Sequence, residues 1–229
     1  MKTKKTLAPV RRNSLTEQVT GKLRQAILDG RIKSGERIIE VDVAAMMHTS
    51  RGPVRDALID LEHEGLVIRE RNRGAMVVNS SAEDLEEVWS LRVALEGLAL
   101  KYAIERATAE DVANLAGIVQ EITTASKGEF PLEKAVDLDL KFHEQLVAMS
   151  KMKRLISFWQ GLRSQIWFLI FSLNLKELAT LAKRTDMAHR QLLDCVRDKD
   201  CARGLEVLKR HMEGAYTEIV KGYRASVGK

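Results

Sequence analysis

Apolar residues recur at three- and four-residue spacing over the first ordered-looking stretch of the chain: Leu15, Val19, Leu23, Ile27 and Leu28. That spacing is one face of an amphipathic helix, and Ser14 suits its N-cap. A short helix is expected over about 41–47, followed by a three-residue break and a third helix over about 51–64. Ser50 suits the N-cap of that helix, Pro53 is tolerated in its first turn, and Gly65 suits its end. Its buried stripe is Val54, Leu58 and Leu61. Two β-prone runs, Leu66-Val67-Ile68-Arg69 and Ala75-Met76-Val77-Val78, flank the polar turn Asn72-Arg73-Gly74, which is a hairpin signal. Beyond Asn79-Ser80-Ser81 the texture changes to nearly continuous helical periodicity with Pro131 as its only proline. Six helices are expected near 82–106, 108–126, 132–149, 152–175, 177–197 and 201–225. Their short connections favour antiparallel neighbours in a bundle. The predicted fold is mostly α. A winged helix-turn-helix of three helices plus a β-hairpin wing occupies 13–79, and an all-α bundle occupies 80–229.

Composition narrows the class. The chain has 229 residues, 45% hydrophobic and 30% charged, the profile of an ordinary globular protein. Two cysteines, Cys195 and Cys201, cannot staple a fold of this size, so a reducing cytoplasm is the expected location. The longest nearly apolar run, Ile166 to Leu175, is about half of the roughly 20 residues a membrane helix needs, so no membrane partner is expected. Residues 1–79 carry 15 Lys and Arg against 10 Asp and Glu, whereas 80–229 carry 22 of each. The excess sits in residues 1–12, a basic flexible tail with five cationic side chains and no acid. Such a tail suits contact with a polyanion or serves as a solubilising terminus.

Helix, short helix, tight turn, helix and hairpin within about 65 residues describe a DNA reader whose third helix enters the major groove. The residues at the start of that helix are Ser50, Arg51, Gly52 and Arg55. Arg51 and Arg55, four apart, share a face, and a forked guanidinium takes two acceptors on a guanine edge or clamps a phosphate. Gly52 lets the backbone approach DNA. Two arginines on a helix also make an ordinary solvated face, and the surrounding pattern is what favours the DNA reading. The stretches Leu28-Asp29-Gly30-Arg31-Ile32-Lys33-Ser34-Gly35-Glu36-Arg37, Ser50-Arg51-Gly52-Pro53-Val54-Arg55-Asp56-Ala57-Leu58 and Leu61-Glu62-His63-Glu64-Gly65-Leu66-Val67 resemble the N-terminal domain of the GntR family of bacterial transcription regulators, as does Asn72-Arg73-Gly74-Ala75. The resemblance implies a homodimer docking on a palindromic double-stranded operator. It implies that Arg37, Ser50, Arg51, Gly52, Arg55 and Gly74 touch DNA, with Gly74 at the wing tip. The family often has Gly where this chain has His48, which is expected to take a left-handed turn conformation.

The second part holds His143, His189 and His211, with Asp139 four residues before His143 on the same helix face. Three neutral imidazoles and a carboxylate suit a divalent first-row metal such as Zn, Ni or Mn, if the fold converges them. Taken alone, Asp-x-x-x-His is common by chance, and a satisfied core or surface histidine is the better explanation. Asp139-Leu140-Lys141-Phe142-His143, His189-Arg190-Gln191-Leu192-Leu193-Asp194 and Arg210-His211 resemble the C-terminal FCD domain of the FadR-type GntR subfamily. Leu91-Arg92-Val93-Ala94-Leu95-Glu96 and Asp198-Lys199-Asp200 fit the same pattern. The resemblance implies a metal held by Asp139, His143, His189 and His211, with a small carboxylate effector completing the coordination. Arg92 is the expected second anchor for that effector, as a bidentate guanidinium facing a metal, or else an intrahelical partner of Glu96. Trp159, Arg163 and Trp167 form a stripe in which Arg163 is a further effector candidate and plain core is the alternative.

The expected function is a ligand-responsive transcription regulator, a repressor of a catabolic operon, and not an enzyme. One alternative is a metal-dependent hydrolase using the same Asp/His3 set. Against it stand the lack of an evident general base beside the ligands, of a His-Glu-x-x-His motif and of a nucleophile motif. The other alternative is a DNA-binding regulator whose metal is purely structural.

Overall fold

The computed structural model describes residues 15–70, 74–79, 81–127, 132–172 and 178–227. The basic tail, the Ser14 cap, Asn72 and Arg73 of the wing turn, Pro131 and the expected helix ends at 173–177 lie outside the described residues. The chain divides into two compact units between Val78 and Asn79.

In the first unit, α1 (Leu15–Leu28) buries Val19, Thr20, Leu23 and Ile27. It packs on α3 (Arg51–His63), which returns Val54, Ala57, Leu58 and Leu61. The hydroxyl of Thr20 is satisfied, its one proton shared between the Thr16 carbonyl at 2.9 Å and Asp60 Oδ2 at 3.2 Å. Between these helices lie β1 (Arg37–Ile38) and the short α2 (Glu40–Met46). His48 makes the turn into α3 with φ +51°, the left-handed conformation expected of it. Ser50 stands at the N-cap with extended backbone but makes no side-chain cap bond. The wing differs from the two-stranded hairpin expected. Strands β2 (Val67–Glu70) and β3 (Gly74–Val77) pair antiparallel, and β1 adds to the other edge of β3. Arg37 stands opposite Met76, and Ile38 opposite Ala75. A two-residue strand is too short for an alternating pattern to announce it.

Gly74 is required here by the fold itself. Its φ is +85°, and a Cβ would lie 2.3 Å from the carbonyl oxygen of Ile38.

The described residues of the second unit form six helices: α4 (Ala82–Arg106), α5 (Ala109–Ala125), α6 (Leu132–Met149), α7 (Lys153–Ser172), α8 (Leu178–Asp198) and α9 (Cys201–Val227). Capping boxes start α4 (Ser81 with Asp84) and α5 (Thr108 with Asp111). Asp200 caps α9 by accepting from the Arg203 amide at 3.1 Å. The turn Ser150-Lys151-Met152 closes with Lys151 at φ +56° and with the Ser150 hydroxyl donating to the Val147 carbonyl. Lys199 makes the corresponding left-handed residue between α8 and α9. Helix α4 is packed among α6, α7 and α9, and α8 lies along α5 and α9. This packing brings polar residues of four helices to one place inside the bundle.

Candidate functional site

The site is assembled by i, i+4 pairs. Helix α6 presents Asp139 and His143 one turn apart, and α8 and α9 contribute His189 and His211. Four ligand atoms, one from each of these residues, lie within 4.8 Å of one another. His143 Nε2 is 3.1 Å from His211 Nε2 and 3.4 Å from His189 Nε2. Asp139 Oδ1 stands 3.3 Å from His189 Nε2, 3.7 Å from His143 Nε2 and 3.9 Å from His211 Nε2. Ligand atoms about 2.1 Å from a common ion stand roughly 3.0–3.5 Å apart in tetrahedral or cis-octahedral positions and about 4.2 Å apart when trans, so separations of 3.1–3.9 Å suit a divalent transition metal. His143 and His189 are fully buried, whereas the Asp139 side chain is 21% exposed.

A partner behind the cluster sets its chemistry. Glu96 Oε2 is hydrogen-bonded to His143 Nδ1. The Glu96 carboxylate can only accept, so Nδ1 carries a proton, and in the neutral imidazole the Nε2 lone pair then points into the cluster, the tautomer a metal needs. Glu96 Oε1 accepts in turn from Arg92 Nε at 2.8 Å and from Trp159 Nε1 at 3.1 Å. Burial pushes the Glu96 pKa up, but His143, Arg92 and their hydrogen bonds outweigh it and hold it at about 2. Burial also works against the Asp139 carboxylate, yet His143, His189 and Arg92 keep it well below the usual range. His211 is pushed well below its ordinary value by burial and by the neighbouring imidazoles. His189 is lowered by burial despite its bond to Asp139. Burial lowers His143 as well, but the Glu96 and Asp139 charges reverse the direction and raise it. Two of the three imidazoles thus favour the neutral, ligating form.

Arg92 fulfils one reading of the sequence and adds to it. It makes the intrahelical pair with Glu96, and its Nη2 also donates to Asp139 Oδ2 at 3.2 Å. It is buried over the Trp89 ring, 4.9 Å from the centroid. Arg163 on α7 lies 3.3 Å from Glu144 Oε2, an ion pair not aligned as a hydrogen bond. Of the two effector candidates, Arg92 is the one hydrogen-bonded to the cluster. Trp167 donates to Asp137 Oδ1 at 2.9 Å.

In the first unit, Ser50, Arg51, Gly52 and Arg55 are all exposed at the start of α3, and Arg37 is exposed on β1. A Cβ on Gly52 would meet nothing closer than Ser50 Oγ at 4.0 Å, so the fold leaves room for a side chain there. The structure adds one residue to this face. Glu40 of α2 accepts from Arg51 Nη2 at 2.9 Å and lies 3.3 Å from Arg55 Nη2.

A winged helix joined to an all-helical unit with a buried Asp/His3 cluster defines a two-domain DNA-binding regulator. Residues 15–77 match the family described as "Bacterial regulatory proteins, gntR family", and residues 87–214 match the FCD domain. The chain belongs to the GntR family of transcription regulators, with an FCD domain as its C-terminal part. It is 30% identical to the HTH-type transcriptional regulator YdhC of Bacillus subtilis over 151 residues, 66% of this chain and 67% of that one. It is 26% identical to the gluconate operon transcriptional repressor of the same species over 208 residues, 88% of this chain and 84% of that one. Among solved structures, E. coli McbR/YncC shares the fold with a TM-score of 0.75, at 24% identity, over 93% of this chain and 100% of that one. The family and these relatives are regulators of transcription, which sets aside the metal-dependent hydrolase. Among the described residues, no helix is long and apolar enough to cross a membrane.

Proposed function

We propose that this regulator binds a palindromic operator as a homodimer and represses a catabolic operon until a small organic acid binds its FCD domain. Ser50, Arg51, Gly52 and Arg55 read the major groove, while Arg37 and the Gly74 wing hold the flanking backbone and minor groove. Asp139, His143, His189 and His211 hold a divalent metal, with zinc, nickel and manganese as the candidates. The metal supplies open coordination positions for a carboxylate. Arg92, already bonded to Asp139, is placed to share the charge of that carboxylate through its fork. The observation that carries the reading is the convergence of four ligand atoms within 4.8 Å inside the effector domain of a DNA-binding family. The likeness to a gluconate operon repressor supports repression and a sugar acid as the first effector class to try.

The effector acts only by as much as its affinity differs between DNA-competent and DNA-incompetent dimers. The test has two stages at one fixed, near-physiological salt concentration. Selection from random duplex DNA yields the operator, expected to be a short palindrome. The metal-loaded protein is then titrated on that duplex with gluconate and a panel of sugar acids, aromatic acids and dicarboxylates. One class is expected to weaken binding at least tenfold, with no effect on metal-stripped protein. If no acid alters DNA affinity while metal removal only lowers the melting temperature, the metal is structural and the sensing role is refuted.

A further inference from the structure

The DNA-facing side of the first unit carries a carboxylate where a polyanion has to dock. Glu40 is the first residue of α2, eleven positions before Arg51 and fifteen before Arg55. Its side chain is 15% exposed, whereas those of Arg51 and Arg55 are 58% and 53% exposed. The carboxylate thus lies beneath the two guanidiniums and leaves their outer edges open. Oε2 is shared: Arg51 Nη2 approaches it at 2.9 Å and Arg55 Nη2 at 3.3 Å, while Arg55 Nε lies 3.4 Å from Oε1. The hydrogen bond from Arg55 is the main influence holding the Glu40 carboxyl below its usual range. The position is fixed from below, because Val43 and Ala44 of α2 are buried and Ile38 just ahead is paired to Ala75.

Exposed ion pairs contribute little to stability, so this one is poorly explained as a device for folding. Toward DNA it acts in two ways. It restrains two long side chains that otherwise spread over many rotamers. It also competes with phosphate oxygens for the same donors, which opposes sequence-independent binding. A guanine edge rewards a correctly aimed fork, whereas a phosphate accepts almost any approach.

We infer that Glu40 is a positioning residue for base readout. It holds Arg51 and Arg55 in one shared orientation and lowers their use on phosphates, raising discrimination between operator and random DNA at the expense of total affinity. This deepens the operator-binding reading above and rests on its assignment of Arg51 and Arg55.

The test uses the full chain with Glu40→Gln, Glu40→Ala, Arg51→Ala and Arg55→Ala. The probes are the duplex selected by the wild type and a random-sequence duplex of equal length, titrated over a range of salt. For Glu40→Gln, random-duplex binding is expected to tighten and the selected-to-random affinity ratio to fall about tenfold, the size of one good base contact. The salt slope on random DNA is expected to steepen by about one phosphate contact. Reselection with this variant is expected to blur the consensus at the same positions as the arginine variants do.

An unchanged ratio, slope and consensus in both Glu40 variants, with the consensus lost in the arginine variants, overturns the role of Glu40 and leaves the recognition helix intact. Full discrimination by the arginine variants overturns the recognition-helix reading and this inference with it. Equal weakening on both duplexes together with a lowered melting temperature makes Glu40 a folding residue and also overturns the inference.

Discussion

Replacing Glu96 by Gln changes one oxygen to an amide nitrogen in a buried network whose three neighbours impose conflicting demands. Arg92 Nε and Trp159 Nε1 both donate to Oε1, and His143 Nδ1 meets Oε2. If the Gln oxygen faces Arg92 and Trp159, its amide group meets His143 Nδ1. The imidazole then accepts there and carries its proton on Nε2, the atom that points into the cluster. If the oxygen faces His143 instead, the amide opposes two buried donors, and both lose their acceptor. Each loss costs about 1–3 kcal/mol. Both outcomes penalise a metal at Asp139, His143, His189 and His211. Partners of this kind behind a ligating histidine are worth about 10–100-fold in metal affinity, or roughly 1.4–2.8 kcal/mol. Isothermal titration of chelator-stripped wild type and Glu96→Gln with Zn²⁺ and Ni²⁺ reads this directly. Circular dichroism melting of the metal-free proteins reports separately on the fold. Equal metal affinity in the two proteins, with only the melting temperature lowered, would refute the argument and reduce Glu96 to a core ion-pair partner of Arg92.

Gly74→Ala places a methyl 2.3 Å from the Ile38 oxygen at φ +85°, so the wing has to open; a loss of about 2 kcal/mol or more in denaturant unfolding is expected, and a neutral effect would contradict the packing. Asp111→Asn removes the charge of a carboxylate that accepts from the Thr108 amide at 3.0 Å in the α5 capping box and pairs with Lys151 at 2.8 Å. Burial raises the Asp111 pKa, but the bonds from Lys151 and Thr108 outweigh it and leave the value below the ordinary 3.8, so the carboxylate stabilises the folded state above that pH and the advantage fades as pH falls below it. Wild type should therefore exceed the variant by about 0.5–1 kcal/mol at pH 7, with urea midpoints converging toward pH 3; a constant gap would remove the electrostatic cause. Finally, free metal at about 100 times its Kd should add about 2.7 kcal/mol, raising the melting temperature of the loaded protein by roughly 5–10 °C, and His143→Ala should abolish that shift.

The local order of this chain is legible in its residues. The spacing of Val19, Leu23 and Ile27, and of Val54, Leu58 and Leu61, specifies helices and the faces they bury, whereas Leu15, expected on the same stripe, is 50% exposed. His48 and Gly65 mark turns whose backbone requires a left-handed residue, and Thr108 and Asp200 announce helix starts through their own hydrogen bonds. Asp139 and His143 share a face because 3.6 residues make a turn. What a linear pattern does not contain is which faces meet. Three helices, α6, α8 and α9, bring the Asp139, His143, His189 and His211 ligand atoms together, and α4 supplies the Glu96 behind them. The sequence left Arg92 between a partner in Glu96 and a place at the cluster, and tertiary packing supplies both contacts. Glu40 and the two-residue β1 left no periodic trace, one because its partners lie eleven and fifteen residues away, the other because it is shorter than one alternation. Periodicity encodes the faces of single elements. Partners separated in the chain are chosen by the packing of those faces against one another, a property of the folded whole.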